Sequence, residues 1–148
     1  MDVMKSIKAI SIWQPWASLV ATVAKQYETR HWSTNHRGLL AIHAAKRWTY
    51  DEFIICQNFK YQFPVATQDC LQYWPVVELP LGAVLCIANL VDVIPTSRLP
   101  ELSAAEREFG NFAPGRYAWK LEIVEIFSTP IPAKGAQGLW WWTWEGGK

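Results

Sequence analysis

Ala83-Val-Leu-Cys-Ile-Ala-Asn-Leu-Val-Asp-Val-Ile94 is a nearly unbroken apolar run, and its reading decides the fold class. Its β-branched content is that of a strand. Both of its faces are apolar, which predicts cover on two sides, as where a sheet curls into a closed barrel. Leu81-Gly82 introduces it. Downstream, Arg116 to Phe127 alternates: Tyr117, Trp119, Leu121 and Ile123 share one face, and Lys120 and Glu122 share the other. The alternation slips at Val124-Glu125, which predicts a bulge. Pro130 and Pro132 are expected to break the pairing, because proline has no amide to donate. Leu139 to Trp144 then closes the chain as an aromatic strand.

Upstream, Lys8 to Trp13 reads as a short strand that Gln14-Pro15 interrupts. Pro15 suits the first turn of a helix, and Trp16, Leu19, Val20 and Val23 recur at helical spacing, so a helix is predicted from about Pro15 to Ala24. Tyr27 to Trp32 and Leu39 to Ala44 read as strands joined through His36-Arg37-Gly38. Thr49 caps a predicted helix that begins at Tyr50. Residues 57–80 show little periodicity and read as an irregular excursion. Ser103-Ala-Ala-Glu106 matches a capping box and opens a short helix ending at Gly110. Glu106 and Glu108 read either as a second carboxylate for a cleft or, the plainer reading, as residues that cap and solvate that helix. The sum is an α+β domain over residues 1–148, a small mixed β-barrel of about five or six strands with two or three flanking short helices.

The chain has 148 residues, a length that suits one domain. No apolar run reaches the roughly 18–20 residues that span a bilayer, and Met1-Asp-Val-Met-Lys5 lacks a signal-peptide pattern. Cys56, Cys70 and Cys86 are odd in number and lack metal-ligand spacing, so they read as reduced thiols in a cytoplasmic protein. His31, His36 and His43 lie five and seven residues apart, which matches no common ligand pattern, and no metal or cofactor is expected. Gly110 to Gly115 lacks the residues of a phosphate loop, and there is no Gly-x-Ser-x-Gly nucleophile elbow.

Net charge is only +1, yet residues 1–50 hold seven Lys/Arg against two Asp/Glu. That is not the profile of a protein that coats long nucleic acid, but a local basic patch can read a short segment or a single nucleotide. The charges concentrate in Lys25-Gln-Tyr-Glu28-Thr-Arg30, then Arg37, then His43-Ala-Ala-Lys46-Arg47. Opposite charges on an otherwise apolar stretch are costly to bury unless paired, so the cluster is either an ion-pair knot or the wall of a site. In an extended segment Glu28 and Arg30 share a face. A carboxylate there can accept from an exocyclic amine or take a proton from water, while Lys25 and Arg30 can meet a phosphate or an oxyanion. His43 is a candidate base or phosphate donor. Lys46 pairs a cation with nearby Trp48, and Trp13, Trp16 and Trp32 are candidates for stacking on bases. Trp119, Trp140 and Trp142 are assigned to packing.

These residues resemble the ASCH domain family of the PUA-like superfamily. Its signature Gly-x-Lys-x-x-Glu-x-Arg is similar to Val23-Ala-Lys25-Gln-Tyr-Glu28-Thr-Arg30, with Val23 in the place of the glycine. Ile10 to Ala17, Trp32-Ser33, Arg37 to Arg47, Glu106 to Gly110, Pro114 to Trp119 and Lys134 to Trp140 also look like family segments. The resemblance implies a small barrel with a cleft containing the signature, and an association with RNA. One branch removes the acetyl group of N4-acetylcytidine using the signature Lys, a Thr where Glu28 stands here, and a later Glu that Glu106 could match. Other members are reported as ribonucleases.

Three readings stand side by side. The first is a cleft for single-stranded RNA or a (modified) nucleoside or nucleotide, lined by Lys25, Glu28, Arg30, Arg37, His43, Lys46, Trp13, Trp16 and Trp32. The second is a hydrolase acting on a nucleoside amide or on RNA, with Glu28 as base and Lys25 as oxyanion partner. The third is a protein-interaction module. No membrane partner is expected.

Overall fold

The computed structural model describes residues 3–71 and 79–146. In chain order the elements are β1 (Val3–Ile12), α1 (Trp16–Ala21), β2 (Tyr27–Arg30), β3 (Gly38–Ala44) and α2 (Tyr50–Gln62). Then follow β4 (Ala83–Pro95), a single 3-10 turn at Thr96–Arg98, α3 (Ala104–Phe109), β5 (Tyr117–Pro132) and β6 (Leu139–Gly146). The six strands form one mixed sheet in the order β2-β5-β4-β3-β1-β6, with β1 and β3 parallel and the other neighbours antiparallel.

The sheet is not a closed barrel, which corrects part of the expectation. It ends at β2 on one side and β6 on the other. The curl comes from the long pair β4 and β5, whose register shifts at three places. One shift leaves Val124 between partners of Ile87 and Ala88, at the position where the alternation slips. The both-faces-apolar run has a different cause from closure. One face of β4 contributes Cys86, Ala88 and Leu90 to a core beneath α1, built around fully buried Trp119. The opposite face places Val84 and Ile87 against Ile7, Ala41 and Trp142, a second core that Phe127, Ile131 and Ala133 flank. Each large aliphatic side chain so buried contributes about 1.5–3 kcal/mol.

Three further expectations are corrected. Pro130 and Pro132 do not end the pairing: β5 runs through Pro132, which pairs with Ala83. They are tolerated because β2 pairs only with Tyr117–Lys120, leaving the later part of β5 without a partner on that edge. The excursion assigned to residues 57–80 is helical through Gln62 and turns through Leu71, while its residues 72–78 lie outside the described residues. The first helix stops at Ala21 rather than Ala24, because Val23 adopts a left-handed conformation at φ 65°. The chain leaves α1 there, and the Lys25 amide returns to the Leu19 carbonyl at 3.0 Å. Cys56, Cys70 and Cys86 are free thiols. No helix among the described residues is long and apolar enough to cross a membrane.

Candidate functional site

The Arg30 guanidinium of β2 reaches the C-terminal end of β1, and there Arg30, Glu28, His43 and Lys46 line two neighbouring clefts. Ser11 and His43 are register partners on β1 and β3. The His43 Nε2–H donates to the Ala133 carbonyl at 2.8 Å, since a carbonyl can only accept. That assigns Nδ1 as an acceptor, and it takes the Ser11 hydroxyl at 2.9 Å. The Trp140 indole N–H donates to the same Ser11 oxygen at 3.1 Å. Burial pushes the His43 pKa below its usual value, although the bond to Ala133 pulls the other way. His43 is therefore a neutral tie between β3 and the segment that follows β5.

Two clefts open on this region. The larger, about 1300 Å³, is bounded by residues 132–138 and includes Arg30, His43, Lys46, Lys134 and Trp32 in its wall. Among the described residues, no Asp or Glu lines it. The smaller, about 800 Å³, lies toward the end of α3 and includes Glu28, Glu108, Asn111, Arg116 and Trp16. Ser11, Trp13, Arg30 and His31 line both. Arg30 is thus the divide between a purely cationic cleft and a mixed one. Its Nη2 donates to the Ser11 carbonyl and to Glu28 Oε2, each at 2.9 Å, and its Nε donates to the same Oε2 at 3.2 Å. Glu28 Oε1 accepts the Thr29 amide at 3.2 Å. A carboxylate offers about four acceptor positions, and among the described residues three of them are taken, which leaves one on Oε1.

Lys25 and Arg37 sit elsewhere. Lys25 is 1% exposed and lines neither cleft. Its Nζ donates to the Tyr27 carbonyl. Burial lowers its pKa, against the pull of Glu28 and Glu106. Arg37 donates to the Thr34 and His36 carbonyls and pairs with exposed Asp92 at 3.5 Å. Glu106 is not a solvated cap. The Ser103 hydroxyl does accept the Glu106 amide at 3.1 Å, as the capping box predicts. The Glu106 carboxylate, however, is buried and accepts the Gln26 amide at 2.9 Å and the Tyr27 amide at 3.3 Å. It clamps the turn that carries Lys25 onto the start of β2.

The tryptophans divide by depth. Trp13 is 50% exposed, and the Arg47 guanidinium lies 4.3 Å from its ring centroid, which holds the indole in place. Arg47 is anchored in turn by Glu52 at 3.1 Å. Trp16 meets Phe59 edge-on, and Trp32 meets Trp119 edge-on with centroids 4.9 Å apart. Sequence reasoning missed Ser11 and Lys134 as site residues. The flanking Gly135 and Gly138 were the available signal for Lys134, whereas Ser11 shows no pattern of its own because only strand pairing places it opposite His43.

No curated protein is similar enough to this chain to serve as a relative. A family model described as the ASCH domain matches residues 10–131, from the strand that carries Ser11 through nearly the whole of β5. With the charged signature at the edge of its clefts and most of its length matched, the chain belongs to the ASCH domain family.

Proposed function

We propose that this domain binds single-stranded RNA or a nucleotide, with the base in the smaller cleft and the sugar-phosphate side toward the larger one. The observation that carries this reading is the division at Arg30: a cleft with cations and no carboxylate among the described residues adjoins one lined by Glu28, Glu108 and the Trp13 and Trp16 rings. Cations take phosphate, a carboxylate accepts from a base amine, and an exposed indole stacks. Membership in the ASCH family supports nucleic acid as the ligand class. The hydrolase reading draws on the same Glu28, but Lys25 is bonded to the Tyr27 carbonyl outside both clefts, so geometry favours binding.

The test is binding of short cytidine-rich and uridine-rich single strands to wild type, Glu28→Gln and Trp13→Ala, with product analysis of each mixture. Wild type is expected to prefer the amine-bearing base. Glu28→Gln should erase that preference, a loss of about tenfold for one charged hydrogen bond. Trp13→Ala should weaken both ligands by about 1–3 kcal/mol. Unaltered affinity and preference in both variants would overturn the reading, and a cleaved strand would replace it with the hydrolase.

A further inference from the structure

We infer that the larger cleft is a phosphate-monoester subsite, so that the preferred ligand is a nucleoside monophosphate or a phosphorylated strand end rather than a nucleoside or an internal linkage. This rests on the base-and-phosphate reading above and names the group that the cationic side takes.

Charge is the first argument. Arg30 is balanced by Glu28, whereas Lys46 and Lys134 have no ion-pair partner among the described residues. With no carboxylate among the described residues of the lining, the cleft carries two positive charges that no described acid compensates. A phosphate monoester carries about −1.5 to −2 at neutral pH, and an internal diester carries one negative charge. Two lysines match the first and exceed the second.

The backbone is the second argument. Residues 132–138 wrap one wall of the cleft. Among the described residues, the main-chain amides of Lys134, Gly135, Ala136 and Gln137 have no hydrogen-bond partner. Amides that no protein acceptor takes are available to donate to an anion held beside Lys46 and Lys134. Such groups bind well only if already in place, and this segment is tied down at its start. The Ala133 amide donates to the Gly82 carbonyl at 3.1 Å, and its carbonyl accepts His43 Nε2–H. Gly135 lies so close to the Ser11 and His43 pair that a Cβ there would fall 2.5 Å from Ser11 Oγ and 2.6 Å from His43 Cε1. Glycine at 82 serves the same end: the aliphatic stem of Lys46 lies against it, where a Cβ would approach Lys46 Cε to 3.0 Å.

The experiment compares nucleosides, their 5′- and 3′-monophosphates, and short strands with and without a terminal phosphate, by calorimetry at two salt concentrations. Wild type is expected to bind a monophosphate at least tenfold tighter than its nucleoside, with a preference that falls as salt rises. Lys46→Ala with Lys134→Ala should abolish the preference by weakening the monophosphate far more than the nucleoside, a loss of about tenfold or more. Gly135→Ala keeps both charges but displaces the segment, and it should lose the same preference; its thermal melting reports whether it folds. Equal affinity for nucleoside and monophosphate would overturn the subsite and leave the base cleft standing. A phosphate preference that survives the double lysine variant would also overturn it. Absence of binding by every nucleoside, nucleotide and strand would overturn both readings.

Discussion

Replacing Val23 by glycine should stabilise this protein, against the usual direction of mutation. Val23 holds φ 65° at the turn between α1 and β2. A residue with a Cβ pays about 1–2 kcal/mol to sit in the left-handed region, and β-branching makes it a clear outlier there. Two terms oppose the relief. Glycine lowers stability by about 0.5–1 kcal/mol through its freer unfolded chain. Lost side-chain burial adds only a few tenths, because Val23 is 55% exposed. The balance centres on a gain of about 0.5 kcal/mol, read as a higher midpoint in urea unfolding with unchanged slope. Val23→Asn is a second probe, since asparagine tolerates this conformation without the glycine entropy term; it should stabilise by a similar amount. Val23→Ala keeps a Cβ and should gain little. If Val23→Gly proves less stable than wild type by more than about 0.5 kcal/mol, the left-handed turn is not the conformation in solution. The ASCH signature carries glycine at this position, which is the residue such a turn calls for.

Glu106→Ala removes the acceptor of two main-chain amides, one in the buried start of β2, and one of the two carboxylates, with Glu28, whose charge favours the Lys25 ammonium. A loss of about 2–4 kcal/mol follows from the orphaned donors, a melting drop of roughly 6–15 °C; a variant that melts with wild type would show that the clamp carries no stability. Lys25 also makes a pH signature. Its folded pKa lies below the ordinary 10.5, so between the two values the unfolded chain holds a proton that the folded one has lost. Stability relative to Lys25→Met must then rise as pH climbs toward 10.5 and be smallest below the folded value. A pH-independent difference between wild type and Lys25→Met in unfolding titrations from neutral to alkaline pH would contradict it.

Local pattern and local chemistry were legible in the chain before any tertiary contact was known. β-branched runs and period-two alternation mark β4 and β5, the slip at Val124 marks a register shift, and Thr49 and Ser103 mark helix starts, because strand and cap preferences depend on a few neighbouring residues. The Lys25 to Arg30 signature and the segments around it identify the ASCH family for the same reason. What lay beyond the sequence depends on which strands become neighbours. Two apolar faces on β4 mean two cores rather than closure, since an open sheet covered on both sides has the same pattern as a barrel strand. Spacing cannot tell a cation that faces solvent from one that a neighbouring segment covers, and so Lys25, Arg30 and Arg37 read alike. The fold buries Lys25 beneath the Glu106 clamp, sets Arg30 between two clefts and sends Arg37 to the surface. Ser11 and His43 are 32 residues apart, and parallel pairing alone makes them partners. The cationic cleft itself exists because Lys46 and Lys134, far apart in the chain, are brought to one cleft by hydrogen bonds through Gly82 and Ala133 that no local rule encodes.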